Sequence, residues 1–323
     1  MTTHRRIAIA CQGGGSHTAF SAGVLEGLLS HWDDDQDKIV ALSGSSGGAL
    51  CSLLLWDGLL RDQPKRGIEQ LHAFWTDVTA YGPFQSLMND WLQVVLRVRS
   101  VLPLPDVSPY AFPPWWQGHL RKLLEKHVDF AKARELAQRE GSPSLRVGAI
   151  DVLGGTYRVF QGEEITVEAL LASTAIPEVF PVVRANGRLY WDGLYERNPP
   201  IRELTDDRPD EIWVVQVRAP KVEHFPRSVD AIADRRNQIS GCLSIDREIE
   251  MIEKINQLLD EGALSPAGPY RPITVHRITL DRNLDYVSMF DRGPRFVRHL
   301  MEMGREHAAS FMNARRVGET TNV

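Results

Sequence analysis

VALSGSSGGALCSLLL, residues 40–55, sets five small residues between two apolar runs. The run Ile39-Val40-Ala41-Leu42 reads as a buried strand, and Ala49 to Leu55 reads as a buried helix. Between them Gly44-Ser45-Ser46-Gly47-Gly48 matches G-x-S-x-G, the turn that lifts a serine hydroxyl clear of a sheet edge. Such a turn is tight and strained, and glycine is needed wherever a Cβ would strike the strand or the helix. Ser46 then stands at a helix N-terminus, where unpaired backbone N–H groups favour developing negative charge. A plain Gly/Ser loop gives the same pattern, so the motif gains meaning only from its neighbours.

The preceding unit supplies one. Ile7 to Cys11 reads as another buried strand, Gly13-Gly14-Gly15 follows, and an apolar helix begins near Ala19. A glycine run between strand and helix lets backbone N–H groups approach an anion. A dinucleotide loop would need a glycine where Thr18 stands, and no Walker G-K-[ST] is present. With Ser46 on the next strand–turn–helix unit, an oxyanion hole is the better reading.

A serine at neutral pH also needs a base. Asp192 ends the strand Arg188-Leu189-Tyr190-Trp191, ahead of Gly193 and Asn198-Pro199. His276 lies later and completes the order Ser…Asp…His of α/β-hydrolases, yet in that fold the elbow follows several strands, whereas here it follows the second. The expectation is therefore that Asp192 is itself the base.

Composition sets the frame. The 323 residues are 43% hydrophobic and 24% charged with net charge −5, which suits one large α/β domain and gives no basic surface for nucleic acid. Cys11, Cys51 and Cys242 lack paired spacing, and no His/Asp/Glu cluster has ligand spacing, so neither metal nor cofactor is expected. The apolar run 7–11 is too short for a signal-peptide core, and nothing approaches a membrane span. The location expected is cytoplasmic, either free or peripheral at a membrane. Six of the eight tryptophans fall in the first 116 residues, and residues 56–116 are expected as a helical cap over an acyl site, with Trp115 and Trp116 in a proline-broken cluster. The acidic run 33–37 reads as a solvated loop. One helix is expected over 118–140, and another over 228–259 with a break near Gly241.

Taken together, the blocks resemble the patatin-like phospholipase family. Gly13-Gly14-Gly15, the elbow at Ser46, the stretch Ala172-Ser173-Thr174-Ala175-Ile176-Pro177-Glu178-Val179-Phe180-Pro181, and Asp192-Gly193 with Asn198-Pro199 stand in the family's order between about Ile7 and Val217. The resemblance implies a three-layer α/β/α sandwich with a mostly parallel central sheet, as one domain over 1–323 with residues 218–323 as a helix–strand–helix extension. It implies Ser46 as nucleophile, Asp192 as its partner in a dyad, and oxyanion donors at Gly13, Gly14, Gly15 and Gly47. The chemistry implied is hydrolysis of acyl esters of phospholipids, lysophospholipids or other lipids without a metal. Acyl transfer on the same dyad and silent lipid binding remain as alternatives, and oligomeric state is not implied. The family usually carries a basic residue and a glycine where this chain has His17 and Thr18.

Overall fold

The computed structural model describes residues 4–79, 108–111, 115–177, 179–218, 221–222, 225–227, 229–265, 268–282 and 284–318, with positions 87, 89 and 94. In chain order the main elements are β1 (Arg5–Cys11), α1 (Ala19–Ser30), β2 (Asp37–Ser45), α2 (Ser46–Leu60), α3 (Pro64–Val78), α4 (Trp115–His127) and α5 (Phe130–Ala137). Then come β3 (Ser144–Asp151), β4 (Thr156–Gln161), α6 (Val167–Ser173), β5 (Val183–Ala185), β6 (Arg188–Asp192), β7 (Glu211–Gln216), α7 (Val229–Asp260), β8 (Thr274–Thr279) and α8 (Pro294–Val317).

The sheet runs β5-β6-β3-β2-β1-β7-β8, with β4 paired to β3. Strands β3, β2, β1, β7 and β8 are mutually parallel, while β4, β5 and β6 add antiparallel pairs at one side. The parallel strands are covered on both faces, which is why they read as unbroken apolar runs. Side chains still alternate. Ile7, Ile9 and Cys11 of β1 and Trp213 and Val215 of β7 join the large core beneath α1–α6 and α8. Ala8 and Ala10, with Ile212 and Val214, face Ile245, Ile249 and Ile252 of α7 on the other side. The result is three layers, helix, sheet and helix. From β1 the chain passes to β2 on one side, and β7 joins on the other, so the loop after β1 opens at a topological switch point. In open α/β sheets that crevice is where ligands are held.

Three expectations change. Residues 56–79 are core helix and not cap: Trp56 is fully buried and donates its indole N–H to the Pro143 carbonyl at 2.8 Å. On α3, Leu71, Phe74, Trp75 and Val78 recur at helical spacing and are buried. Most of the remaining cap span lies outside the described residues; Trp115 is exposed, and Trp116 packs on the core beneath the Arg292 guanidinium at 4.9 Å. The expected helix over 118–140 is two helices, because Asp129 caps α5 by accepting the Lys132 N–H at 3.0 Å. Conversely α7 runs through Gly241 without a break, since that glycine is buried against the Leu194 carbonyl. Tertiary packing there overrides a propensity cost of about 1 kcal/mol.

Candidate active site

β2 passes directly into α2 at Ser45–Ser46, and the turn is strained as its chemistry demands: Ser46 has φ 54°, in the left-handed region. A non-glycine residue there costs about 1–3 kcal/mol and persists only where its surroundings hold it. The glycines around it answer to contact. A Cβ on Gly44 would stand 2.5 Å from the Ala49 nitrogen, and one on Gly48 would stand 2.2 Å from the Cys11 carbonyl oxygen. Strand, glycine loop and helix can meet only without those carbons.

Ser46 is held from below by Ser173. The Ser46 N–H donates to Ser173 Oγ at 2.9 Å, and that hydroxyl donates to the Gly148 carbonyl at 2.7 Å. Both serines are buried. The proton direction is fixed by this pairing, because a hydroxyl that gives its hydrogen to Gly148 can only accept from Ser46. No sequence pattern assigns Ser173 this role, because its bond to Ser46 spans 127 residues and leaves no local signal. Ser173→Ala is expected to lower kcat on a short p-nitrophenyl ester roughly 5- to 100-fold with KM little changed. That range corresponds to about 1–2.7 kcal/mol, within the cost of stranding a buried partner, taken at the transition state. Steady-state kinetics check it.

Asp192 arrives by register. Ser45 of β2 pairs with Gly148 of β3, and the next residue, Ala149, pairs with Asp192 of β6. As β2 leaves the sheet to become α2, β6 takes its place beside β3, one residue step (about 3.3 Å) further on. Asp192 is therefore next to the elbow on the same flank of β3. It is fully buried, its Oδ1 accepts the Leu194 N–H at 2.9 Å, and its own N–H donates to the Ala175 carbonyl at 2.9 Å.

The glycine loop closes over Ser46. A Cβ on Gly13 would lie 2.4 Å from the Ser45 carbonyl oxygen and 2.7 Å from Ser46 Cβ. Gly13, expected as an oxyanion donor, has its N–H engaged elsewhere. Its N–H is spent on Asn198 Oδ1 at 2.6 Å, and Asn198 Nδ2 donates back to the Gly13 carbonyl at 3.2 Å. Asn198 is thus the clamp that fixes the loop against the Asp192 turn. Gln12 fixes the other side, its Oε1 accepting the N–H groups of Val217 and Arg218 at 2.9 and 3.0 Å. Gly14, Gly15 and Gly47 stand at the starts of the helical turns that follow β1 and β2, where the first backbone N–H groups have no intrahelical acceptor.

His276 is remote. It pairs in register with Trp213, which stands level with Ile9 and Leu42, four residues short of Ser46. Three strand spacings, roughly 14 Å, also separate β8 from β2. Its Nε2 lies 3.5 Å from Glu211.

Residues 9–205 match the family model of the patatin-like phospholipases. The chain belongs to the patatin-like phospholipase family. No curated protein matches it in sequence. Among solved structures it is similar to VipD from Legionella pneumophila, at 12% identity and TM-score 0.45, over 97% of this chain and 67% of that one. It is similar also to full-length ExoU of Pseudomonas aeruginosa in complex with SpcU, at 16% identity and TM-score 0.29, over 78% of this chain. The match takes in 53% of that ExoU chain, about half its length.

The two departures from the patatin-like pattern are accommodated. Thr18 has an ordinary helical φ of −71°, so the position needs no glycine, and its hydroxyl donates to the Gly15 carbonyl at 2.6 Å. His17 is buried with Nε2 2.8 Å from Ser288 Oγ, and burial, then the nearby Arg218 cation, push its pKa down to about 3. The positive charge beside the loop comes from Arg218, 3.5 Å from Asp234, and not from His17. A consequence follows for acid stability. Unfolded His17 binds a proton below its ordinary value of 6.5, whereas the folded residue stays neutral to about 3. The unfolded state then holds more protons, so this stability is complete above pH 6.5 and is lost as pH falls toward 3. Between pH 7 and pH 5 the loss is expected to reach about 2 kcal/mol. Urea midpoints at the two pH values should show it, and His17→Gln should flatten the decline.

The three cysteines are buried free thiols, the Cys11 pKa raised to about 12 by burial. Among the described residues no helix is long and apolar enough to cross a membrane.

Proposed function

We propose that this patatin-like protein is a serine acyl hydrolase that cleaves carboxylic ester bonds of phospholipids, lysophospholipids or other acyl lipids. Ser46 Oγ attacks the ester carbonyl carbon while Asp192 takes the hydroxyl proton. The carbonyl oxygen becomes an oxyanion facing the N–H groups of Gly14, Gly15 and Gly47, fixed before the reaction begins, which is where such sites gain most of their rate. Collapse expels the alcohol, which receives the proton from Asp192 and leaves an acyl-Ser46 ester. Water then attacks that ester as Asp192 accepts its proton, and the freed acid departs with Ser46 Oγ reprotonated.

The observation that carries this reading is the register that brings Asp192 to β3 one step past the end of β2. The test is release of fatty acid from a diacyl phospholipid and of p-nitrophenol from a short ester, by the protein and by Ser46→Ala. Turnover of both by the first and neither by the second is expected. Equal turnover by the two would overturn the proposal.

A further inference from the structure

The longest helix carries a face that the hydrolase reading leaves unused. The inner side of α7 is committed: Cys242, Ile245, Ile249 and Ile252 are buried, and Gly241 sits against the Leu194 carbonyl, in the turn whose N–H holds Asp192. Its outer side presents Ile232, Arg236, Ile239, Leu243 and Arg247 at steps of four, three, four and four, so all lie on one stripe. Ile232, Ile239 and Leu243 are 49%, 41% and 46% exposed, and Phe225, just before the helix, is 81% exposed.

Along the first two thirds of this helix the exposed charges are of one sign, and the stripe ends at Glu250, which is exposed. Between residues 225 and 249 every described residue that is exposed is apolar, serine or arginine, in a chain of net charge −5. The described carboxylates there turn inward or sideways to partners. Asp234 meets Arg218 at 3.5 Å, Asp246 meets Arg277 at 2.7 Å, and Glu248 accepts the N–H groups of Ile201 and Arg202 at 2.8 and 2.9 Å. Exposed apolar side chains flanked by arginines, with no exposed carboxylate among the described residues before Glu250, suit an interface that is apolar inside and anionic at its surface. A second copy suits it poorly, because a two-fold contact would set the Arg236 and Arg247 stripes against themselves.

We infer that the outer face of α7 from Ile232 to Arg247, with Phe225, docks on an anionic lipid bilayer. The inference rests on the lipid-hydrolase reading for its purpose. The same helix backs the Asp192 turn, so docking brings the site to within about one helix diameter, ~10 Å, of the lipid surface.

Flotation with vesicles of ether-linked lipids, which carry no acyl ester to cleave, is the test. One set is phosphatidylcholine alone and the other contains about one third phosphatidylglycerol. The protein is expected to float with the anionic vesicles, to be released by raised salt, and to ignore the neutral ones. Ile239→Glu combined with Leu243→Glu should weaken binding about tenfold or more and leave turnover of a short soluble ester unchanged. If circular dichroism shows that variant unfolded, Arg236→Gln with Arg247→Gln decides instead, with the same loss expected. No flotation of the parent protein, or equal flotation of a folded variant, would overturn the inference. So would a dimer in light scattering that Leu243→Glu splits. Absent ester turnover with vesicle binding intact would sink the hydrolase reading and leave the docking face standing.

Discussion

Asp192→Asn is expected to cost about 10⁴-fold in ester hydrolysis, close to Ser46→Ala, and the double variant should be little worse than either. The amide cannot take the serine proton, and Asp192 is otherwise well placed for a neutral replacement. Its carbonyl oxygen can still accept from Leu194, and the backbone bond to Ala175 is untouched, so the fold should survive. His276→Ala is expected to lose less than about tenfold, since it removes only packing against Phe311 and a contact with Glu211. A triad through His276 would reverse that order and require its ring beside Ser46. The sheet instead places β8 three strands away. Steady-state rates for the three single variants separate the two schemes by roughly three decades.

The second large effect is on stability. α1 and α8 lie back to back with no room between their backbones: a Cβ on Gly23 would stand 1.9 Å from the Met301 carbonyl oxygen, and one on Gly304 would stand 2.2 Å from that of Phe20. Both obstacles are main chain and cannot swing aside as a side chain would. Gly23→Ala must therefore push the helices apart, loosening Leu300, Met301 and Phe311 from the core. The helix cannot shift freely, because Arg315 near its end grips Asp37 at 2.7 and 3.0 Å and Glu211 at 3.0 and 3.2 Å. A loss of about 3 kcal/mol is expected, lowering Tm by roughly 4–5 °C. Gly118→Ala is the control. That glycine is exposed in α4 with nothing within 4 Å of the added carbon, so Tm should hold or rise slightly. Equal melting of parent and Gly23→Ala would contradict the packing described here.

What was legible in the sequence was local. The elbow at Ser46 and the loop at Gly13-Gly14-Gly15 announce themselves because strand, turn chemistry and helix are contiguous and each needs its glycines. The apolar run of β1, Ile7 to Cys11, was legible as a buried strand for the same reason. What stayed hidden joins distant residues. That Gly13 lends its N–H to Asn198, 185 residues away, follows from the fold and from no pattern near Gly13. Asp37 closes an acidic run that reads as solvated, yet it is buried under Arg5 and Arg315, because α8 returns across the start of β2. The C-terminal third carried no motif, although β8 extends the sheet and α8 supplies part of its main core. Apolar periodicity marks an element as buried, and it is silent about which partner buries it.

The most direct measurement is covalent. A fluorophosphonate ester, incubated with the protein and followed by peptide mass spectrometry, reports the activated serine itself. The adduct is expected on the peptide containing Ser46, formed rapidly in the parent protein and far more slowly in Asp192→Asn, with His276→Ala close to the parent. An adduct on another serine, or labelling of Ser46 that is indifferent to Asp192 and lost with His276, would contradict the Ser46–Asp192 dyad.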